Sequence, residues 1–112
     1  MFVVIYRWRL KAGTETQFAE AWAERTRAVM SSEGGLGSRL HRAADGVLVA
    51  YAQWPSRAAW EAFMRTTAPP SPAGIQMGSC IESSEEPLCL DVVCDLLLPS
   101  REGPFPNGTP KG

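Results

Sequence analysis

Residues 2–22, FVVIYRWRLKAGTETQFAEAW, decide the fold, because the spacing of apolar side chains changes partway along them. In the first nine residues Phe2, Val4, Tyr6, Trp8 and Leu10 alternate with Val3, Ile5, Arg7 and Arg9. A period of two predicts a β-strand. Lys11 to Gly13 interrupt it, and Thr14 to Gln17 (TETQ) fit a capping box, in which the threonine hydroxyl and the glutamine amide satisfy free groups at a helix start. From Phe18 onward the spacing becomes three and four. Phe18, Ala21, Trp22, Arg25 and Val29 share one side while Glu20, Glu24 and Arg27 face away, which predicts an amphipathic helix to about Met30.

Past the SSEGG stretch that ends this helix, Leu36, Ser38 and Leu40 alternate with Gly37, Arg39 and His41 as a second strand. Ala44 to Gly46 (ADG) signal a hairpin, since Asp-Gly accepts the backbone angles of a tight turn. The third strand, VLVAYAQW, returns antiparallel to Trp54. Pro55 stops it, and Ser56 is placed to cap a short helix whose Ala59, Trp60, Phe63 and Met64 form an apolar stripe. The proline content of TTAPPSPAG predicts a loop, IQMGSCIESS one or two weak helical turns, and LCLDVVCDLLL, residues 88–98, the last strand. Residues 99–112, with four prolines and three glycines, predict a tail without regular structure after a domain over residues 1–98. The order β-α-β-β-α-β is that of an α+β, ferredoxin-like fold with an antiparallel sheet and both helices on one face.

A chain of 112 residues has room for one domain with a small core. Eleven basic and twelve acidic residues, without a long run of either sign, argue against nucleic acid and anionic membranes as partners. No window supplies the roughly 18 apolar residues of a membrane span, and Arg7, Arg9 and Lys11 interrupt any leader-like segment. A cytoplasmic protein is the expectation. Cys80, Cys89 and Cys94 lack metal-binding spacing and read as ordinary buried thiols, so no metal site is expected. Both faces of the first and last strands are apolar: Val3 and Ile5 lie opposite Val4 and Tyr6, and Val93 and Leu97 opposite Val92 and Leu96. One sheet with helices on one side leaves such a second face bare, which predicts a homodimer with packed sheets.

VVIYRWRLKAGTETQFAEAW, with Gly13 between strand and helix, and YAQWPSRAAWEAF, with Trp54, Ser56 and Ala59 at the third-strand exit, resemble the antibiotic biosynthesis monooxygenase superfamily of dimeric α/β-barrel proteins. The resemblance implies a cytoplasmic homodimer with a pocket between sheet and helices in each subunit. Its members include cofactor-independent monooxygenases of aromatic polyketides, quinol monooxygenases and haem-degrading oxygenases. In the cofactor-free reactions an electron-rich, deprotonated substrate meets oxygen directly, and the protein orients it and stabilises the developing anion. The haem-degrading members carry an Asn in the first strand, a Trp in the second helix and a His ligand beyond it. This chain has Tyr6 and Phe63 at the first two positions and no histidine after His41, which argues against haem.

No cofactor is therefore expected, and the expected partner is a small aromatic molecule of the quinol or anthrone class. Tyr6 can donate a hydrogen bond to a phenolate or enolate, and His41, the only histidine, is the one available imidazole base. Those two are the candidate catalytic residues; Trp8, Trp60, Phe63 and Met64 are the candidate substrate contacts. Trp54 reads as a packing residue at the strand exit. A metabolite-binding or structural dimer, and a non-oxidative isomerase or cyclase, remain open on the same fold.

Overall fold

The computed structural model describes residues 1–99 and 103–105, so most of the predicted tail lies outside the described residues. The elements are β1 (Phe2–Leu10), α1 (Glu15–Ser32), β2 (Gly37–Arg42), β3 (Leu48–Trp54), α2 (Arg57–Met64), α3 (Pro72–Cys80), β4 (Ile81–Ser84) and β5 (Leu88–Asp91). The strands form one antiparallel sheet in the order β2-β3-β1-β4, with β5 also paired to β1. This is the ferredoxin-like arrangement expected from the element order.

Strand β1 is the centre of the sheet. It pairs with β3 from Phe2↔Trp54 to Trp8↔Leu48, and along its other edge with β5 and then β4. Its helix-facing residues Phe2 and Val4 are 1% and 0% exposed and form the core cluster with Trp54. Phe18 of α1, also fully buried, meets the Trp8 ring edge-on at 5.1 Å. Ala19, Ala21 and Ala23 are buried as well, and their small side chains let α1 lie close to its neighbours. The hairpin turns as expected: Gly46 has φ +88°, a conformation that favours glycine, and Asp45 Oδ1 accepts the Val47 N–H at 3.1 Å. Ser56 caps α2 by accepting the Ala59 N–H at 3.1 Å.

Four local expectations are corrected. Thr14 precedes α1, but no side-chain capping bond forms; its backbone sits at φ −111°, ψ 6°, and its hydroxyl donates to the Lys11 carbonyl at 2.7 Å instead. The start of α1 is tied to β2 by the Glu15 carboxylate, which accepts two bonds from Arg42 at 2.6 and 2.7 Å and is thereby held below its ordinary pKa. The proline-rich loop contains the beginning of a helix. Ser71 accepts the Gly74 N–H at 3.0 Å and Pro72 opens α3, where a missing N–H costs nothing because the first turn has no partner for it. Cys80 is buried, whereas Cys89 is half-buried and Cys94 is exposed.

The last strand is displaced toward the N-terminus of its predicted span. β4 and β5 run along the same edge of β1 as one interrupted strand, and the break falls at residues 85–87, where Pro87 has no N–H to give to a ladder. The ladder closes with Val92 N–H donating to the Met1 carbonyl at 3.2 Å. Residues 93–98 pass beyond the paired edge, and Val93, Leu96 and Leu98 are 96%, 89% and 80% exposed. Replacing Phe18 by alanine should lower unfolding free energy by about 3 to 5 kcal/mol, the usual cost of emptying a buried phenylalanine site; urea denaturation followed by circular dichroism reads it directly.

Candidate active site

Between the sheet and the helices lies a partly open, apolar cleft of about 230 Å³. Its floor follows from strand alternation and register. Tyr6 is opposite Ala50, Val4 is opposite Ala52, and Ala52 is in turn opposite Ser38, so these residues share the helix-facing side. Tyr6 and Trp8 supply the aromatic part of the floor, while Ala50 and Ala52 are too short to fill the space above them. The walls come from Trp22, Arg25 and Val29 on α1, Phe63 and Met64 on α2, and Met77 on α3. The α1 residues fall at spacings of three and four, which place them on one side of the helix.

Tyr6 is the most constrained polar group. Its ring stacks on Trp8 at 5.8 Å with 4° between planes, and its hydroxyl oxygen accepts the Trp60 Nε1–H at 2.9 Å. Burial pushes the Tyr6 pKa above its ordinary value, the Trp60 hydrogen bond opposes that shift, and the nearby Cys89 adds to it. Tyr6 therefore stays neutral at physiological pH and keeps a proton to donate. Across the cleft the Phe63 ring meets Trp54 at 5.1 Å, and the Arg25 guanidinium lies 5.5 Å from the Phe63 centroid. Trp54 Nε1 and Ser38 Oγ, both belonging to lining residues, are buried without a hydrogen-bond partner among the described residues. Unpaired buried donors cost free energy, and in an otherwise well-packed fold they mark places where something polar belongs.

The structure brings Tyr6, Trp8, Phe63 and Met64 of the predicted set to this one cleft. Trp60 does not line it; it stands behind Tyr6, packed on Phe2 at 5.8 Å, and touches the site through its hydrogen bond. His41 is a correction to the expected grouping: with Arg39 and Tyr51 it borders a separate hollow on the opposite side of the sheet. There its Nδ1 lies 3.0 Å from the Val49 carbonyl, which can only accept, so Nδ1 is the donor of that bond. Trp54 is both core, at 2% exposure, and wall. Trp22, Arg25 and Ser38 also line the cleft and were left unassigned by the sequence, although the α1 periodicity had already put Trp22 and Arg25 beside Phe18. Among the described residues no group of three or more His, Cys, Asp or Glu side chains could hold a metal ion, and no helix is long and apolar enough to cross a membrane.

Comparison with known proteins adds a family. The family model for antibiotic biosynthesis monooxygenase matches residues 1–68. Among solved structures, SnoaB, a cofactor-independent oxygenase from Streptomyces nogalater, is 19% identical with a TM-score of 0.66, over 85% of this chain and 95% of its own. Rv0793 from Mycobacterium tuberculosis is 18% identical with a TM-score of 0.63, over 86% of this chain and 98% of its own. At such identities the likeness to these structures is one of fold. No curated protein sequence matches the chain.

The Tyr6–Trp60 bond yields a direct spectroscopic expectation. With Tyr51 replaced by phenylalanine, Tyr6 is the only tyrosine left to titrate. Ultraviolet difference absorbance should then show it ionising above its ordinary pKa of about 10, and Trp60→Phe should push that ionisation higher still by removing the donor that steadies the phenolate.

Proposed function

Because the chain belongs to the antibiotic biosynthesis monooxygenase family, we propose that it is a cofactor-independent monooxygenase of a small aromatic or polyketide-like substrate, of the quinol or anthrone class. One observation carries this reading: a neutral tyrosine hydroxyl, held by Trp60 and stacked on Trp8, on the floor of an aromatic-walled cleft. The fold shared with SnoaB, itself a cofactor-independent oxygenase, supports the same class of chemistry.

For an anthrone the reaction closes on the two reactants. The substrate loses its benzylic proton to water at the open side of the cleft, and the resulting enolate passes one electron to O₂. The carbon radical and superoxide then combine in a carbon–oxygen bond at the same carbon, the peroxide anion takes a proton back from that water, and the hydroperoxide eliminates water to leave the second quinone carbonyl. Tyr6 hydrogen-bonds the substrate oxygen on which the enolate charge gathers, a donor fixed before the reaction begins. Trp8, Phe63 and Met64 hold the rings and keep water away, and Trp60 acts through Tyr6. His41, on the other side of the sheet, has no part in chemistry at this cleft.

A second reading is favoured by one feature of the lining: among the described residues it contains no His, Asp, Glu, Lys or Cys to act as a base. A homodimer that holds such a molecule without converting it fits that feature too. An oxygen electrode separates the two. Anthrone should be consumed with one O₂ per turnover, and Tyr6→Phe should lower kcat about 10²-fold, as the loss of one preorganised donor does elsewhere. Tight anthrone binding with no oxygen uptake would establish the binding protein instead.

The proposed assembly is a dimer through the sheet face turned from the helices. Leu88 and Leu90 of β5, paired with Ile5 and Val3, are 47% and 41% exposed there, and Leu96 and Leu97 border the hollow on that side. Light scattering should report about twice 12.2 kDa. The double substitution Leu88→Glu, Leu90→Glu should give a folded monomer, since it places four like charges across a two-fold interface.

A further inference from the structure

Resting on the reading of the cleft as an aromatic site, we infer that it selects the deprotonated form of its ligand, a phenolate or enolate, and that Arg25 is the charged group that does so. Among the described residues lining the cleft, Arg25 is the only one that carries a formal charge. The ion pairs among the described residues are Arg9–Asp45 and Arg42–Glu15, so no carboxylate lies within 4.0 Å of the Arg25 guanidinium to neutralise it. Its place is nonetheless set, because it lies over the face of Phe63, whose ring is itself a wall of the cleft. A cation that is half-buried and unpaired beside an apolar hollow acts on an anion there through a lower dielectric than water provides.

The neutral polar atoms point the same way. The oxygen of Tyr6 already accepts from Trp60, and among the described residues nothing accepts the hydrogen that Tyr6 still carries. Trp54 Nε1–H can only donate, and it too lacks an acceptor. Ser38 and Thr26 can serve in either sense, and among the described residues no carboxylate lines the cleft to repel an anion. Among the described residues, Cys89 on β5 lies near Tyr6, and Arg57 on α2 lies 4.7 Å above the Phe2 ring, outside the cleft lining. Strand β3 contributes Ala50, Ala52, Gln53 and Trp54, and α3 contributes Met77. A site made of one cation and fixed donors is complementary to an oxyanion on a flat apolar skeleton.

This assignment accounts for the missing base. A ligand acid placed beside an unpaired cation loses its proton more readily, so the cleft needs no proton-accepting side chain. It also gives the α1 residue a role beyond the packing its guanidinium already does over the Phe63 ring.

The test is an anaerobic spectrophotometric titration of bound alizarin, a hydroxyanthraquinone whose colour changes on deprotonation and which needs no oxygen chemistry to be read. In the wild-type protein its pKa should fall by about one unit relative to buffer, the effect of a nearby opposite charge, equivalent to about tenfold tighter binding of the anion than of the neutral form. Arg25→Met should abolish the shift while neutral alizarin still binds, and Arg25→Lys should retain most of it by restoring the charge. Circular dichroism checks that both variants fold, and displacement by anthrone confirms the common site. Binding with an unmoved or raised alizarin pKa, or a shift unaffected by Arg25→Met, overturns the role of Arg25 and leaves the aromatic cleft standing. Failure of both alizarin and anthrone to bind overturns the cleft reading and this inference together.

Discussion

Everything in this molecule depends on β1 being hydrogen-bonded along both edges. A strand in that position cannot shift or twist independently, and its side chains are as fixed as its backbone. The helix-facing row Phe2, Val4, Tyr6, Trp8 divides into two halves with different uses. The first two complete the core under α2, and the second two form the floor of the cleft. The core and the floor of the cleft are thus built from a single strand, and the tyrosine hydroxyl inherits its precision from the same ladder that holds the sheet together.

What was legible in the sequence was local. The alternation of β1, the change to helical spacing at Phe18, the Asp-Gly turn and the Ser56 cap each depend on neighbours a few residues away, and each forms as expected. Proline misled in one place because its effect depends on position: inside a helix it is a breaker, at the first turn of α3 it is a natural start. The last strand was displaced because apolar composition alone cannot say where a partner edge begins and ends. Residues 93–98 have strand-like composition and, among the described residues, no paired edge.

The lining of the cleft was legible in part for the same reason. Alternation put Tyr6 and Trp8 on one face and the family resemblance turned that face toward the helices, while helical spacing put Phe63 and Met64 on one stripe; all four line the cleft. Whether His41 shares their side of the sheet depends on register across three strands. Leu40, through Ala50, aligns with Tyr6, so His41 one residue later must face away. Trp54 and Ser38 show the other limit. Their significance lies in what their polar atoms fail to meet, and an unmet hydrogen bond has no signature in the order of residues.

The two alanines of β3 have a consequence for how this architecture can vary. Ala50 and Ala52 lie between paired strands whose backbones cannot yield, so the headroom above them is set by two methyl groups rather than by any movable loop. Exchange of either for valine or leucine would shorten the reach available to a ligand in whole-carbon steps while leaving Tyr6, Trp60 and Arg25 where they are. In such a scaffold molecular length and chemical character are governed by different strands and helices, and each can drift in evolution without dragging the other along.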